Sequence, residues 1–297
     1  MKKLFFLLSA LLLTGCADIR GRVSPDALAV NGDPPELAMH ISEEADTVTA
    51  AAEPENFPDA MRAAAGAEVS TGHISVLLLH ANPADILPDY LDAGWLAPTA
   101  QVVYCEKDAV SLLLNTPPSA DEIKAAAETG LLPPRTADAV LADLLGGSGV
   151  TALTAYTAEG YRLAVWDAEE CCGLLSADAC RGLALLCGKY RSFTYSDAEL
   201  CFAVEHASPV IRAKLSGGVL HISVTGAFRC SVRKGEPSAV QPALTRLLTA
   251  ALTETVTRHG ADLLALQERA GAGGISPADW REILRTAEIR TEISLTE

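Results

Sequence analysis

The chain has 297 residues, 49% of them hydrophobic and 21% charged, with a formal net charge of −15. That is ample apolar material for packed cores, and the length suits two domains or three small ones. The acidic balance repels phosphate backbones and anionic headgroups, and no run of Lys or Arg along the chain forms a basic patch, so nucleic acid is excluded as a partner class.

The first element is the opening "MKKLFFLLSALLLTGC". Two lysines precede an apolar run from Leu4 to Leu13, about ten residues or roughly 15 Å as a helix, half of what a bilayer core requires. Basic start, short apolar stretch and small residues together predict a signal peptide over residues 1–15. "Leu13-Thr14-Gly15-Cys16" resembles the lipobox of bacterial lipoproteins, which implies a diacylglycerol on Cys16 and cleavage before it. Two acyl chains hold a protein at a bilayer where one does not. The expectation is an extracytoplasmic, lipid-tethered protein, and no later apolar run approaches the length of a membrane span.

Beyond the anchor, "PPELAMHI" reads as a short half-buried strand and "FPDAMRAAAGAEV" as an Ala-rich helix entered through Pro58. "TGHISVLLLH" is a run of β-formers behind a glycine turn, a central strand. "PADILPDYLDAGWL" predicts a helix, "AQVVYCE" a strand and "DAVSLLLN" a helical turn, the alternation of an α/β domain over residues 16–146. A helical decoration with Pro pairs leads to "GGSG" at 146–149, read as a flexible linker and domain boundary.

A small middle α/β subdomain is expected over 150–190. "YRLAVWD" alternates, "CCGLL" is a short strand, and Ser176 N-caps the helix that follows. Residues 195–297 read as an α+β domain. Two or three alternating strands, broken at Pro209 and at Gly217-Gly218, form an antiparallel sheet. A long amphipathic helix from about Pro242 to Arg269, a capped helix "SPADWREILRTAE" and a closing strand "EIRTEISL" complete it. The fold class is thus an α/β N-terminal region followed by an α+β C-terminal domain, with mixed sheets and packed helices.

Four segments in this order resemble the Ger(x)C family, the lipoprotein C subunits of nutrient germinant receptors in endospore-forming bacteria. The lipobox Cys16 is followed by "ADIR", where Asp18 and Arg20 match the family and its usual Trp is absent. Gly72 and His73 match its Gly-His segment, and Arg181, Gly182, Leu183 with Gly188-Lys189 match its "RGL" helix. "HGADLLALQERAGAGGISPADWREILRTAEIRTEISL" carries its late Ala-Asp, penultimate-helix Trp and final strand, with "LALQER" where many relatives have Gly-Phe-Gly. The resemblance implies a non-catalytic subunit at the inner spore membrane, joined to two integral-membrane partners, the A-type and B-type receptor subunits.

A search for chemistry supports a non-enzymatic reading, with no cofactor and no metal expected. "Ser231-Val232-Arg233-Lys234" fits S-x-x-K, yet it sits at the end of a β segment without the partner motifs of penicillin-recognising enzymes. "GGSG" lacks the Lys-Ser/Thr of a phosphate-binding loop. His73 and His80, seven apart, fall on opposite faces of a strand. Seven cysteines remain beyond Cys16, an odd number, and the cluster at Cys171, Cys172, Cys180 and Cys187 lacks a zinc knuckle. Cys180 and Cys187 share a helix face with Leu183 and Ala184 and read as core, as does Trp280 beside Ile283 and Leu284.

Two residues stand out as anchors for a partner interface, Trp95 in "DAGWL" and Arg181 in "DACRGL", each beside turn-rich sequence. Two functional classes remain: the germinant-receptor subunit, and a solute-binding lipoprotein feeding a transporter. The second normally requires two comparable α/β lobes around a hinge, which the β-rich second half does not offer.

Overall fold

The structure, a computed structural model, describes residues 22–32, 35–41, 46–51, 56–115, 120–146 and 148–296. The expected signal peptide, Cys16, Asp18 and Arg20 lie outside the described residues. No helix among the described residues is long and apolar enough to cross a membrane.

In chain order the first half contains β1 (Arg22–Val23), β2 (Ala27–Gly32), β3 (Pro35–Ile41), β4 (Asp46–Ala50), α1 (Phe57–Ala65), β5 (Glu68–Val69), β6 (Val76–His80) and α2 (Pro83–Asp92). It continues with β7 (Gln101–Cys105), α3 (Ala109–Asn115), α4 (Ala120–Glu128) and α5 (Ala137–Leu145), then β8 (Thr151–Thr157), β9 (Gly160–Trp166) and β10 (Cys171–Leu174). The larger sheet has eight strands in the order β10-β9-β8-β7-β6-β2-β3-β4. Its centre, β2, β6, β7 and β8, is parallel, and antiparallel meanders close both ends.

Central parallel strands are covered on both faces, and so read as unbroken apolar runs. "VLLLH" and "ALAVN" meet that requirement. Leu28, Leu77 and Val102 pack with Phe57, Met61, Leu87 and Val140 from α1, α2 and α5 on one face. Ala29, Val76 and Val103 pack with Val110, Leu113 and Ile123 from α3 and α4 on the other. Buried Asn31 pins α3 to this sheet: its side chain donates to Asp108 Oδ1 (2.7 Å) and accepts from Ala109 N (2.9 Å).

The second half contains α6 (Ala177–Cys187), β11 (Phe193–Ser196), β12 (Cys201–Ser216), β13 (Val219–Lys234), α7 (Val240–Leu252), α8 (Leu266–Arg269), α9 (Pro277–Arg285) and β14 (Glu288–Leu295). Strands β11-β12-β13-β14 form a four-stranded sheet. Ser176 N-caps α6, its Oγ accepting from Ala179 N, and Ser276 caps α9 in the same way through Asp279 N.

Several expectations are corrected here. The larger sheet runs straight across 146–149: β8 pairs with β7, so the strands of the expected middle subdomain extend the first sheet. Ser148 is fully buried rather than part of a flexible linker. Helix α6 joins the second half, packing on α7 in a core that also takes Val150 and, from the first sheet, Ala152, Leu163 and Val165. The closest point is Gly182, where a Cβ would lie 2.0 Å from the Leu247 carbonyl oxygen. The residue in the middle of "RGL" is therefore a helix-to-helix contact that admits no side chain.

Pro209 does not break β12, which runs for 16 residues. Pro209 pairs with Gly226 of β13, whose missing Cβ would lie 2.9 Å from the Ser208 oxygen, and beyond Val204 the other edge of β12, on the β11 side, has no partner strand among the described residues to ask for an N–H. The smaller sheet is mixed rather than antiparallel. Helices α7 to α9 return the chain to the starting end of β13, so β14 enters parallel to it. The helix expected over 242–269 is interrupted. A π-helical turn, Thr253–Arg258, follows α7, where the Thr255 and Thr257 hydroxyls bond carbonyls four residues back. Asp262 then starts α8 by accepting from Leu266 N and Gln267 N. Strands β1, β2, β4, β5 and β11 are additions to the expected list.

Candidate interaction surface

Arg181 lies on α6 with its guanidinium 5.5 Å from the centre of the Tyr195 ring, and Arg246 of α7 lies 5.8 Å from the same centre. Tyr195 is buried because it alternates inward along β11, and it stacks on Phe202 of β12. Its hydroxyl donates to Asp197 Oδ2 (2.6 Å) and accepts from Arg246 (2.5 Å), while Arg246 Nε donates to Asp178 of α6 (3.0 Å). The Tyr195 hydroxyl, joined by the backbone N–H groups of Glu199 and Leu200, holds the Asp197 carboxyl well below the usual range, at about 2. Burial raises the Tyr195 phenol, and its bond to Asp197 adds to the effect. Two helices and one strand thus hold a pair of guanidinium groups over one ring.

Arg181 makes no ion pair among the described residues, so its charge stays open to a partner. A groove of about 800 Å³, lined by Arg246, follows the outer face of α7 past Gln241, Thr245, Thr249 and Arg258. Nothing in this network is arranged as nucleophile and base. It is a rigid, polar, cation-bearing surface.

Trp95 sits elsewhere. It follows α2 and packs against Phe57 and Tyr90, with ring centres 5.8 and 5.4 Å away. It is half-buried over the first core. Trp95 and Arg181 thus belong to different cores, and the structure does not bring them together.

The seam between the two halves is held by side chains that the sequence analysis did not join. Ser148 Oγ accepts from Asp262 N (3.1 Å), and Arg281 of α9 donates to the Ser148 carbonyl (3.2 Å) and reaches Asp167 (3.4 Å). Trp280, fully buried, donates from Nε1 to Asp262 Oδ2 (2.9 Å). Asp262 is the hub: one carboxylate caps α8, binds Trp280 and fixes the loop on which Ser148 docks. A cleft of about 500 Å³ opens beside it, lined by Asp143, Cys187, Ile211 and Arg269. The "Ala-Asp" of the late segment is the only sequence signal that pointed to Asp262.

The remaining candidates resolve simply. Cys180 and Cys187 both lie in the second core, where burial pushes the Cys180 thiol up to about 12 and raises that of Cys187. His73 is exposed on a 3₁₀ turn, Thr71–His73, ahead of β6 rather than at its start. His80 Nδ1 meets the Cys105 carbonyl at 2.9 Å, tying the ends of β6 and β7. Ser231 lies across from Ala203 and Lys234 across from Cys201, with a bulge at Arg233 between them, and Lys234 Nζ donates to the Ala198 carbonyl (2.6 Å) rather than to Ser231.

No family model and no curated protein sequence matches the chain. Among solved structures, the fold is similar to that in the crystal structure of the GerBC protein. The TM-score is 0.55 at 15% sequence identity, and the match covers 88% of this chain and 93% of that one. The chain therefore has a GerBC-like fold across nearly its whole length.

Proposed function

We propose that the chain is the non-catalytic C-type subunit of a spore germinant receptor, tethered through Cys16 on the extracytoplasmic face of the inner spore membrane. It acts by binding the integral-membrane A-type and B-type subunits in nutrient-triggered germination. The observation that carries this reading is the fold shared with the GerBC protein over 88% of the chain. The order of the lipobox, Gly-His, "RGL" and late Ala-Asp segments supports it. A motif-free subunit contributes by burying surface, and a stable interface takes more than about 1,000 Å² around Arg or aromatic anchors. The paired guanidinium groups over Tyr195 offer one such anchor.

A solute receptor is the weaker alternative. Its two lobes would close about a hinge, whereas here a shared core and the Ser148–Asp262–Arg281 clasp join two unlike sheets.

The test is co-purification from spore inner membranes through a tag on the chain, together with its deletion. Recovery of two polytopic subunits and slowed germination with one nutrient are the expected results. Cys16→Ala should leave the precursor unprocessed or release it from the membrane. Normal germination of the deletion strain, with recovery of an ATP-binding cassette instead, refutes the reading.

A further inference from the structure

We infer that the outward face of the smaller sheet is a docking surface for anionic phospholipid headgroups. Strands β12, β13 and β14 alternate between inward and outward side chains, with the phase reset by bulges at Glu205 of β12 and at Arg233 of β13. Phe202, Ile211, Leu220, Val224, Phe228 and Ile293 point into the core with the helices, and the opposite face carries no covering element among the described residues.

That face differs in charge from the rest of the chain. The three strands contain six cations, Arg212, Lys214, Arg229, Arg233, Lys234 and Arg290, against Glu205, Glu288 and Glu292. Their net charge of +3 within a chain of −15 leaves −18 for all the rest.

Strand register gathers the cations. Arg212 lies across from Ser223 and Ser223 across from Arg290; in the next row Lys214 lies across from His221 and His221 across from Glu288. At about 4.8 Å between strands and about 7 Å between alternate residues, the block fits within one Debye length. A groove of about 530 Å³ runs through it. Arg290 is paired with Glu292 and His221 with Glu288, while Arg212 and Lys214 have no carboxylate partner among the described residues. Both are exposed.

The composition of this face selects the occupant. The aromatic residues of these strands are Phe202 and Phe228, both fully buried, so the outward positions offer none of the aromatic anchors on which protein interfaces centre. They offer long cations among Ser208, Ser223, Thr225 and Ser294, which suits a plane of phosphate-bearing headgroups. Charges on the far side of the molecule are screened from that plane, so the unpaired Arg212 and Lys214 govern the approach and the −18 carried outside the three strands disfavours any other orientation. A lipid tether fixes where a chain is held, and this face fixes how it is turned.

The full chain is floated with neutral phosphatidylcholine vesicles, or with vesicles about one-third phosphatidylglycerol. An apolar N-terminus or acyl chain enters both alike, so the ratio of binding isolates the sheet face. The ratio should be about tenfold or more at low salt, from two unpaired cations near the surface, and approach one at roughly 0.5 M salt. Arg212→Glu with Lys214→Glu should bring the low-salt ratio to about one with the melting temperature unchanged. The matched exposed control, Lys107→Glu with Lys124→Glu, should keep it. Equal binding of the wild type to both vesicles, or equal loss in the control, overturns the inference. So does capture by immobilised polyglutamate without a vesicle preference, which assigns the face to an acidic protein.

Discussion

Gly182→Ala is a sharp test of how the two halves are packed. The new Cβ would lie 2.0 Å from the Leu247 oxygen, 2.6 Å from its carbonyl carbon and 2.9 Å from Ala251 Cβ. The first two obstacles are backbone, so no rotamer change relieves them. Helices α6 and α7 must part by more than about 1 Å, a gap that forfeits about half or more of each dispersion contact it opens. Overpacking against rigid backbone then costs about 3–4 kcal/mol, just above the usual range because neither backbone obstacle can rotate away. Alanine's better helix propensity returns about 1 kcal/mol, since Gly182 lies inside α6. The net loss is about 2–3 kcal/mol, or a fall in melting temperature of about 4–12 °C at this chain size. Thermal unfolding followed by circular dichroism measures it. Gly273→Ala is the control, because a Cβ there meets nothing within 4 Å and its backbone is not left-handed, so stability should hold or rise slightly. A Gly182→Ala protein as stable as the wild type would refute the close α6–α7 contact.

Asp197, held at about 2 by Tyr195 and two backbone N–H groups, has a folded pKa below its ordinary value near 4. Its stabilising contribution is therefore present above about pH 4 and lost as pH falls through about 2. Asp197→Asn should lower the urea midpoint at neutral pH, and the gap between variant and wild type should close toward pH 2; a gap independent of pH counts against the Tyr195–Asp197 bond. Cys105 and Cys180 are buried with thiols pushed up to about 12, whereas Cys172 is exposed. Iodoacetamide at mild alkaline pH should label Cys172 first and leave Cys105 and Cys180 unmodified until the protein unfolds, as mass spectrometry can count. Arg181→Ala loses a cation–π contact worth under about 1 kcal/mol, so it should reduce recovery of the membrane subunits while barely moving the melting temperature. Trp95→Ala removes a half-buried ring and should lower stability by about 1–2 kcal/mol as well; full recovery of the subunits with both variants would move the interface elsewhere.

What could be read along the chain was whatever local chemistry writes there. "VLLLH" is apolar without alternation and forms a central strand, Ser176 and Ser276 sit where helices need an N–H acceptor, and Trp280 falls on an apolar helix face and is buried. Composition and the spacing of strands and helices were enough for the α/β and α+β classes. Boundaries and partnerships were not legible, because they depend on which elements meet. "GGSG" has the composition of a linker, and its Ser148 becomes a buried clasp only because Asp262 and Arg281, 114 and 133 residues away, hydrogen-bond to it. Pro209 reads as a strand breaker until Gly226 faces it from β13 while the opposite edge of β12 has no partner strand there among the described residues. β14 has the same pattern whichever way it runs, and the path of α7 to α9 decides that it runs parallel to β13. The cations of the smaller sheet form no cluster along the chain, since residue 212 and residue 290 become neighbours only through the register of three strands. Periodicity is a property of one segment and survives in the sequence; pairing is a property of two, and burial, register and charge clustering come into being when the second arrives.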